Sequence, residues 1–83
     1  MEESTIKIKI FSPFETYYEG LAYSLSGVNE TGPFDVLYDH ANFISLLPQG
    51  PVVVNTPFGK RTYSLNRGIL RAHNNLVTVF ANV

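Results

Sequence analysis

The sequence predicts an all-β protein: one domain, residues 1-83, folded as a β-sandwich or flattened barrel of about ten short strands with no substantial helix. Three observations predict it. Ile6-Lys7-Ile8-Lys9-Ile10 alternates apolar and basic residues at period two, as a strand does when one face lies on a core and the other in water. Short apolar runs recur along the whole chain, each closed off by Gly, Pro, Asn or Ser. No helix-length window carries apolar residues at helical spacing.

The opening strand ends at Ser12-Pro13, and extended structure resumes at Thr16-Tyr17-Tyr18. Glu19-Gly20 reads as a bulge or bend, because glycine alone tolerates positive φ cheaply, and a second strand follows from Leu21 to Leu25. The turn-rich run Ser26 to Pro33 separates it from two short strands, Phe34–Leu37 and Asn42–Leu47. Pro48-Gln49-Gly50-Pro51 breaks the chain again before Val52-Val53-Val54. A hairpin through Thr56-Pro57-Phe58-Gly59 leads into Arg61–Leu65. Turns at Asn66-Arg67-Gly68 and His73-Asn74-Asn75 frame the strand Ile69–Ala72 and the last strand, Leu76–Phe80. Tyr17, Leu25, Phe34, Ile44, Val53, Tyr63, Ile69, Val77 and Val79 are the expected core contributors; a slip of one residue in any strand would turn its set outward.

Composition narrows the function classes. A chain of 83 residues buries only ~60–65% of its unfolded surface and leaves no room for a deep substrate cavity. The absence of cysteine removes both a disulfide scaffold and a thiolate metal site, which suits a reducing compartment. The N-terminus lacks the basic and apolar regions of a signal peptide, and no apolar run approaches the ~18 residues of a membrane span, so a soluble chain is expected. Asn29-Glu30-Thr31 has the form of a glycosylation sequon but reads as a turn. A net charge of −1 does not fit a nucleic-acid module. All the acidic residues lie at or before Asp39, whereas Lys60, Arg61, Arg67 and Arg71 follow it. The expectation is that strands of the two halves pair and neutralise these charges across the sheet; the alternative is a bipolar surface.

Catalysis finds no footing. Asp39-His40 with Ser45 is the nearest approach to a nucleophilic triad, but neighbours on a strand point to opposite faces and no oxyanion hole is evident. The acidic residues form no spaced pair of the kind a glycosidase uses, and two distant histidines make no zinc site. Gly27 and Gly32 belong to no phosphate-binding loop. No catalytic residue, cofactor or metal is expected.

Three segments in register carry a resemblance that covers Ile8 to Ala81. "FSPFETYYEGLAYSLSG" resembles the opening of the epsilon subunit of F-type ATP synthases, a strand followed by Ser-Pro and, later, Glu-Gly. "GPFDVLYDHANFISLLPQGPVVV" is similar to that family's Gly-x-Phe/Leu-x-Ile/Val-Leu-x-x-His-Ala segment with its apolar strand and Pro-x-Gly turn. "LNRGILRAHNNLVTVFA" is similar to its closing strands. Asp35, Tyr38, Asp39 and Asn42 stand where that family often has Gly, Pro, Gly and Pro, departures that bear on loop shape.

The resemblance implies the N-terminal β-sandwich of a non-catalytic central-stalk (rotor) subunit, linking the gamma subunit to the c-subunit ring and coupling proton or sodium translocation to ATP synthesis elsewhere in the complex. It implies a gamma-facing set of Ser12, His40, Asn42, Phe43 and Ser45, and a ring-facing turn of Glu30, Thr31, Gly32 and Pro33. It also implies a peripheral location on the cytoplasmic side of a bacterial membrane or its organellar equivalent. Read without the resemblance, His40 is a loop histidine bonded to the backbone, and Gly32-Pro33 a turn with an unusual φ. In that family the sandwich is followed by a helical hairpin that restrains ATP hydrolysis. Here the last strand ends near Phe80 and the sequence at Val83, so the expectation is a subunit without inhibition by extension. The alternative is a stand-alone peptide- or carbohydrate-binding sandwich using Tyr17, Tyr18, Tyr23, Phe34, Tyr38 and Phe43.

Overall fold

In the computed structural model, which describes residues 4–82, the alternating run becomes β1 (Ile6–Phe11), with Ile6, Ile8 and Ile10 buried and Lys7 exposed. It is followed by β2 (Thr16–Ala22), β3 (Ser24–Asn29), β4 (Gly32–Leu37), β5 (Phe43–Leu47), β6 (Gly50–Thr56), β7 (Gly59–Leu65), β8 (Gly68–His73) and β9 (Leu76–Ala81). These nine strands make two sheets, ordered β2-β1-β9-β8-β5 and β4-β3-β6-β7, which pack face to face without closing into a barrel. β1 runs parallel to β9, and the other pairs are antiparallel. No helix among the described residues is long and apolar enough to cross a membrane.

The strand boundaries differ from the sequence reading in several places: Leu21–Leu25, read as one strand, is divided at Tyr23 between β2 and β3, and Gly32-Pro33 and Gly50-Pro51, read as breaks, open β4 and β6. Gly20 does not break β2: it pairs with Ile8, and the Tyr18 ring lies over it. The irregularity falls instead between Ile10 and Phe11, where the register shifts. Ser26 to Asn29, read as turn, belong to β3, and Gly27 stays in the strand because the Phe34 ring occupies the space of its missing side chain.

The core is aliphatic. Ile8, Ile10, Leu25, Val54, Leu70 and Val79 are fully buried, with Tyr17, Tyr18, Phe34, Phe43 and Tyr63 packed around them. Of the expected contributors, Leu25, Val77 and Val79 are buried and Tyr17, Phe34 and Tyr63 pack at the core's margin, but Ile44 is 69% exposed and Ile69 40%. In β5 and β8 the inward residues are Phe43 and Leu47, and Leu70 and Ala72, one step away; in β6 they are Val52 and Val54 rather than the half-buried Val53. Both faces of β5 and β8 carry apolar residues, so alternation alone does not fix their register.

Gly68 opens β8 opposite Ala81 of β9. A Cβ there would lie 2.9 Å from the Phe80 carbonyl oxygen, which is backbone and does not yield easily. Gly68→Ala is expected to cost about 1–3 kcal/mol, as overpacking typically does, measured as a lower urea midpoint at unchanged slope.

Among the described residues, no strand pair sets an acid of the first half against a base of the second. Lys9 faces Glu19 across β1 and β2, a pair within the first half of the chain, while Lys60 faces Asn55, Arg61 faces Val54, and Arg71 lies between Ile44 and Thr78. Asp35 on edge strand β4 and Lys60 on edge strand β7 nonetheless line one open recess of the four-stranded sheet. Glu2 and Glu3 lie outside the described residues.

Candidate functional site

Two open sheets present four edge strands: β2, β5, β4 and β7. An exposed edge offers unpaired backbone groups to any passing strand, and proteins blunt such edges with charges or proline. β2 carries Glu19, β4 carries Pro33 and Asp35, and β7 carries Lys60 and Arg61. β5, Phe43-Ile44-Ser45-Leu46-Leu47, carries no charge, proline or glycine. Its outward side chains, Ile44 and Leu46, are 69% and 63% exposed. They continue across the outer face of the sheet through Ile69, which pairs with Leu46, to Phe80, which stacks on Phe11 at 5.0 Å.

The β4–β5 loop enters this edge. His40 N–H donates to the Leu37 carbonyl (3.1 Å), closing a turn whose third residue, Asp39, has φ 62°. Positive φ there but not at Tyr38, the second residue, is the pattern of a type II turn. The exposed His40 ring lies 4.9 Å from Phe43, and its Nδ1 is 2.8 Å from the Ala41 carbonyl. A carbonyl only accepts, so this contact uses the Nδ1–H form. Phe43 is half-buried at the margin of the core and meets Phe34 edge to face at 6.1 Å.

The β3–β4 hairpin lies beside β5 across the gap between the sheets. Asn29 serves both: its Oδ1 accepts from Thr31 N–H (2.9 Å) and Thr31 Oγ1 (2.7 Å), and its Nδ2 donates to Ser45 Oγ (3.1 Å). Glu30 and Thr31 form the exposed tip. Gly32 follows at φ 118°, a conformation closed to L side chains, and Pro33 is tolerated because β4 is an edge. Asn29, Glu30, Thr31, Ile44, Ser45 and Leu46 line one open recess of about 280 Å³.

Thus Glu30, Thr31, Gly32, Pro33, His40, Asn42, Phe43 and Ser45 gather along one side of the sandwich. Ser12 does not join them. It follows β1, three strand positions from β5, about 14 Å at the usual strand spacing. It is 8% exposed, and its Oγ accepts the Phe14 and Glu15 N–H groups (both 3.2 Å), shaping its own loop. Of the six aromatic residues of the binding alternative, Tyr17, Tyr18, Phe34 and Phe43 pack on the core, with the Tyr18 hydroxyl donating to the Leu21 carbonyl, while Tyr23 is half-buried and Tyr38 exposed. No cluster of three metal-ligating side chains occurs among the described residues. Sequence reasoning missed Ile44 and Leu46 as surface residues; the lack of any charge from Ala41 to Leu47 was the available signal.

The family described as ATP synthase, Delta/Epsilon chain, beta-sandwich domain matches residues 5–83. The chain is 32% identical over 78 residues to the chloroplastic ATP synthase epsilon chain of Tetradesmus obliquus, covering 94% of this chain and 57% of that one. It is 32% identical over 77 residues to the ATP synthase epsilon chain of Helicobacter pylori (strain P12), covering 93% and 63%. The chain therefore spans about three fifths of the length of these relatives. Among solved structures, a chain of the Euglena gracilis mitochondrial ATP synthase (OSCP/F1/c-ring) superposes with a TM-score of 0.84 at 17% identity, over 98% of this chain and 52% of that one. A chain of the Tetrahymena thermophila mitochondrial ATP synthase central stalk and c-ring superposes at 0.81 and 10% identity, over 100% and 67%. At those identities the likeness is one of fold.

Proposed function

Because the chain belongs to the β-sandwich family of ATP synthase delta and epsilon chains, we propose that it is a non-catalytic central-stalk subunit, joining a gamma subunit to a ring of c subunits. In this role it transmits rotation and couples ion flow to ATP synthesis without chemistry of its own, as one domain peripheral to the membrane, on the cytoplasmic side in a bacterium. The observation that carries the reading is the β5 edge: an uncharged strand with two large exposed apolar residues, bordered by the loop of His40 and Asn42. Such an edge is a liability in a free protein and an asset in an assembled one.

We assign gamma to Ile44, Leu46 and Ser45 with His40, Asn42 and Phe43, and leave Ser12 out of this surface. The tip Glu30-Thr31 with Gly32 and Pro33 is assigned to the ring. Its polar, charged character suits a polar loop surface better than an apolar one.

The test uses cysteine pairs in the assembled complex. Pro33→Cys should crosslink to a cysteine placed in the polar loops of the c subunits. Lys60→Cys, on the far edge strand β7, should not. Equal yields from the two positions would overturn the orientation.

A further inference from the structure

We propose that Asn75, on the β8–β9 turn, is a positioning residue that holds the β4–β5 loop in the shape that presents His40; the proposal rests on the gamma-facing role assigned above. The loop needs such a hold. Its turn places Asp39 at φ 62°, and Tyr38-Asp39 stands where the resemblance has Pro-Gly, the pair that favours a type II turn by itself. Asp tolerates the left-handed region better than most residues but has a Cβ that glycine lacks.

The missing restraint comes from 36 residues away. Asn75 Oδ1 accepts the Asp39 N–H at 2.7 Å, and Asn75 Nδ2 reaches Asp39 Oδ1 at 3.5 Å. Beside it, Asn42 Oδ1 accepts the Asn74 N–H (2.9 Å) and Asn42 Nδ2 reaches Asn74 Oδ1 (3.4 Å). Each end of the loop is thus tied to one residue of the same tight turn. That turn is itself well fixed: Asn74 and Asn75 have φ 49° and 65°, the two positive values of a type I′ hairpin, and the Asn75 carbonyl accepts the Lys7 N–H at 2.9 Å. β1 is a core strand of the five-stranded sheet, so the anchor beneath the loop is rigid. The His40 ring, with its neighbour Phe43, is carried by a loop whose own sequence does not fix its geometry.

The experiment compares the parent with Asn75→Gly, Asp39→Gly and the double variant. Glycine at 75 keeps the positive φ and the backbone carbonyl of the turn while deleting the side-chain tie. Two readouts are taken: amide exchange at His40 in the free protein, and affinity for purified cognate gamma subunit. Asn75→Gly should speed His40 exchange by about tenfold and weaken gamma by about fivefold, as the loss of one backbone hydrogen-bond partner in the loop implies. Asp39→Gly, which lets the turn hold itself, should restore both in the double variant. Unchanged exchange in Asn75→Gly, or no rescue by Asp39→Gly, would overturn the tie; faster exchange with unchanged gamma affinity would overturn its positioning role. Failure of the parent itself to bind gamma would instead count against the functional assignment, while the exchange measurement would still decide the tie.

Discussion

Lysine in place of Ile44, and separately of Leu46, is expected to weaken binding to the cognate gamma subunit by about a hundredfold, equivalent to ~2.7 kcal/mol, while the domain stays folded. Both side chains are mostly in water in the free protein, so the substitutions remove little folding energy. Both lie on the one edge strand without a charge, where an added ammonium must either be desolvated or hold the partner away. Arg71 lies beside Ile44 in the adjacent strand, so Ile44→Lys also sets two cations side by side and should be the more severe of the pair. Titration calorimetry against gamma measures the affinity, and circular dichroism checks the fold. If both variants bind as the parent does, β5 is not the docking edge.

The second large effect is on stability. Ile8→Ala is expected to destabilise the domain by about 2–5 kcal/mol, the range for deleting a buried aliphatic side chain. Ile8 is fully buried in β1, between Gly20 on β2 and Val77 on β9. Neither neighbour can fill the gap: Gly20 has no side chain, and β9 is held by β8 on its other flank. With about 4–8 °C of melting temperature per kcal/mol in a domain of this size, the midpoint should fall by at least ~8 °C. A fall of under ~2 °C would mean that the core collapses around the site or that β1 is not the inner strand, between β2 and β9, described.

Much of this was legible from the residues, and what was not has physical causes. β1 alternates cleanly because its outer face is basic and its inner face isoleucine. β9 is nearly as clear, its inner Val77, Val79 and Ala81 alternating with Thr78 and Phe80. β5 and β8 were misread by one step because Phe43-Ile44 and Ile69-Leu70 put apolar residues on both faces, which erases the period-two signal where one outer face is sticky. Gly20 and Gly27 suggested breaks because a sequence does not show that the rings of Tyr18 and Phe34 cover them. The parallel pairing of β1 with β9 joins the two ends of the chain and leaves no local trace.

The site divides the same way. His40 and the Glu30–Pro33 turn were legible through likeness to a family, and their gathering on one side follows from strand order. Ser12 was grouped with them, but its hydroxyl is occupied within its own loop on another part of the molecule. The asparagine ties to Asp39 and Asn42 were invisible because both partners are ordinary turn residues, far apart in sequence. Departures from Pro-Gly at Tyr38-Asp39 were the clue that something else must hold that turn.

Backbone hydrogen exchange of this chain with and without one equivalent of cognate gamma subunit tests the central claim most directly. The account predicts a complex in which residues 40–47, the β4–β5 loop and β5, become protected, while β7 around Lys60 and Arg61 exchanges as in the free protein. No complex, or protection that falls on β7 and leaves β5 unchanged, would contradict it.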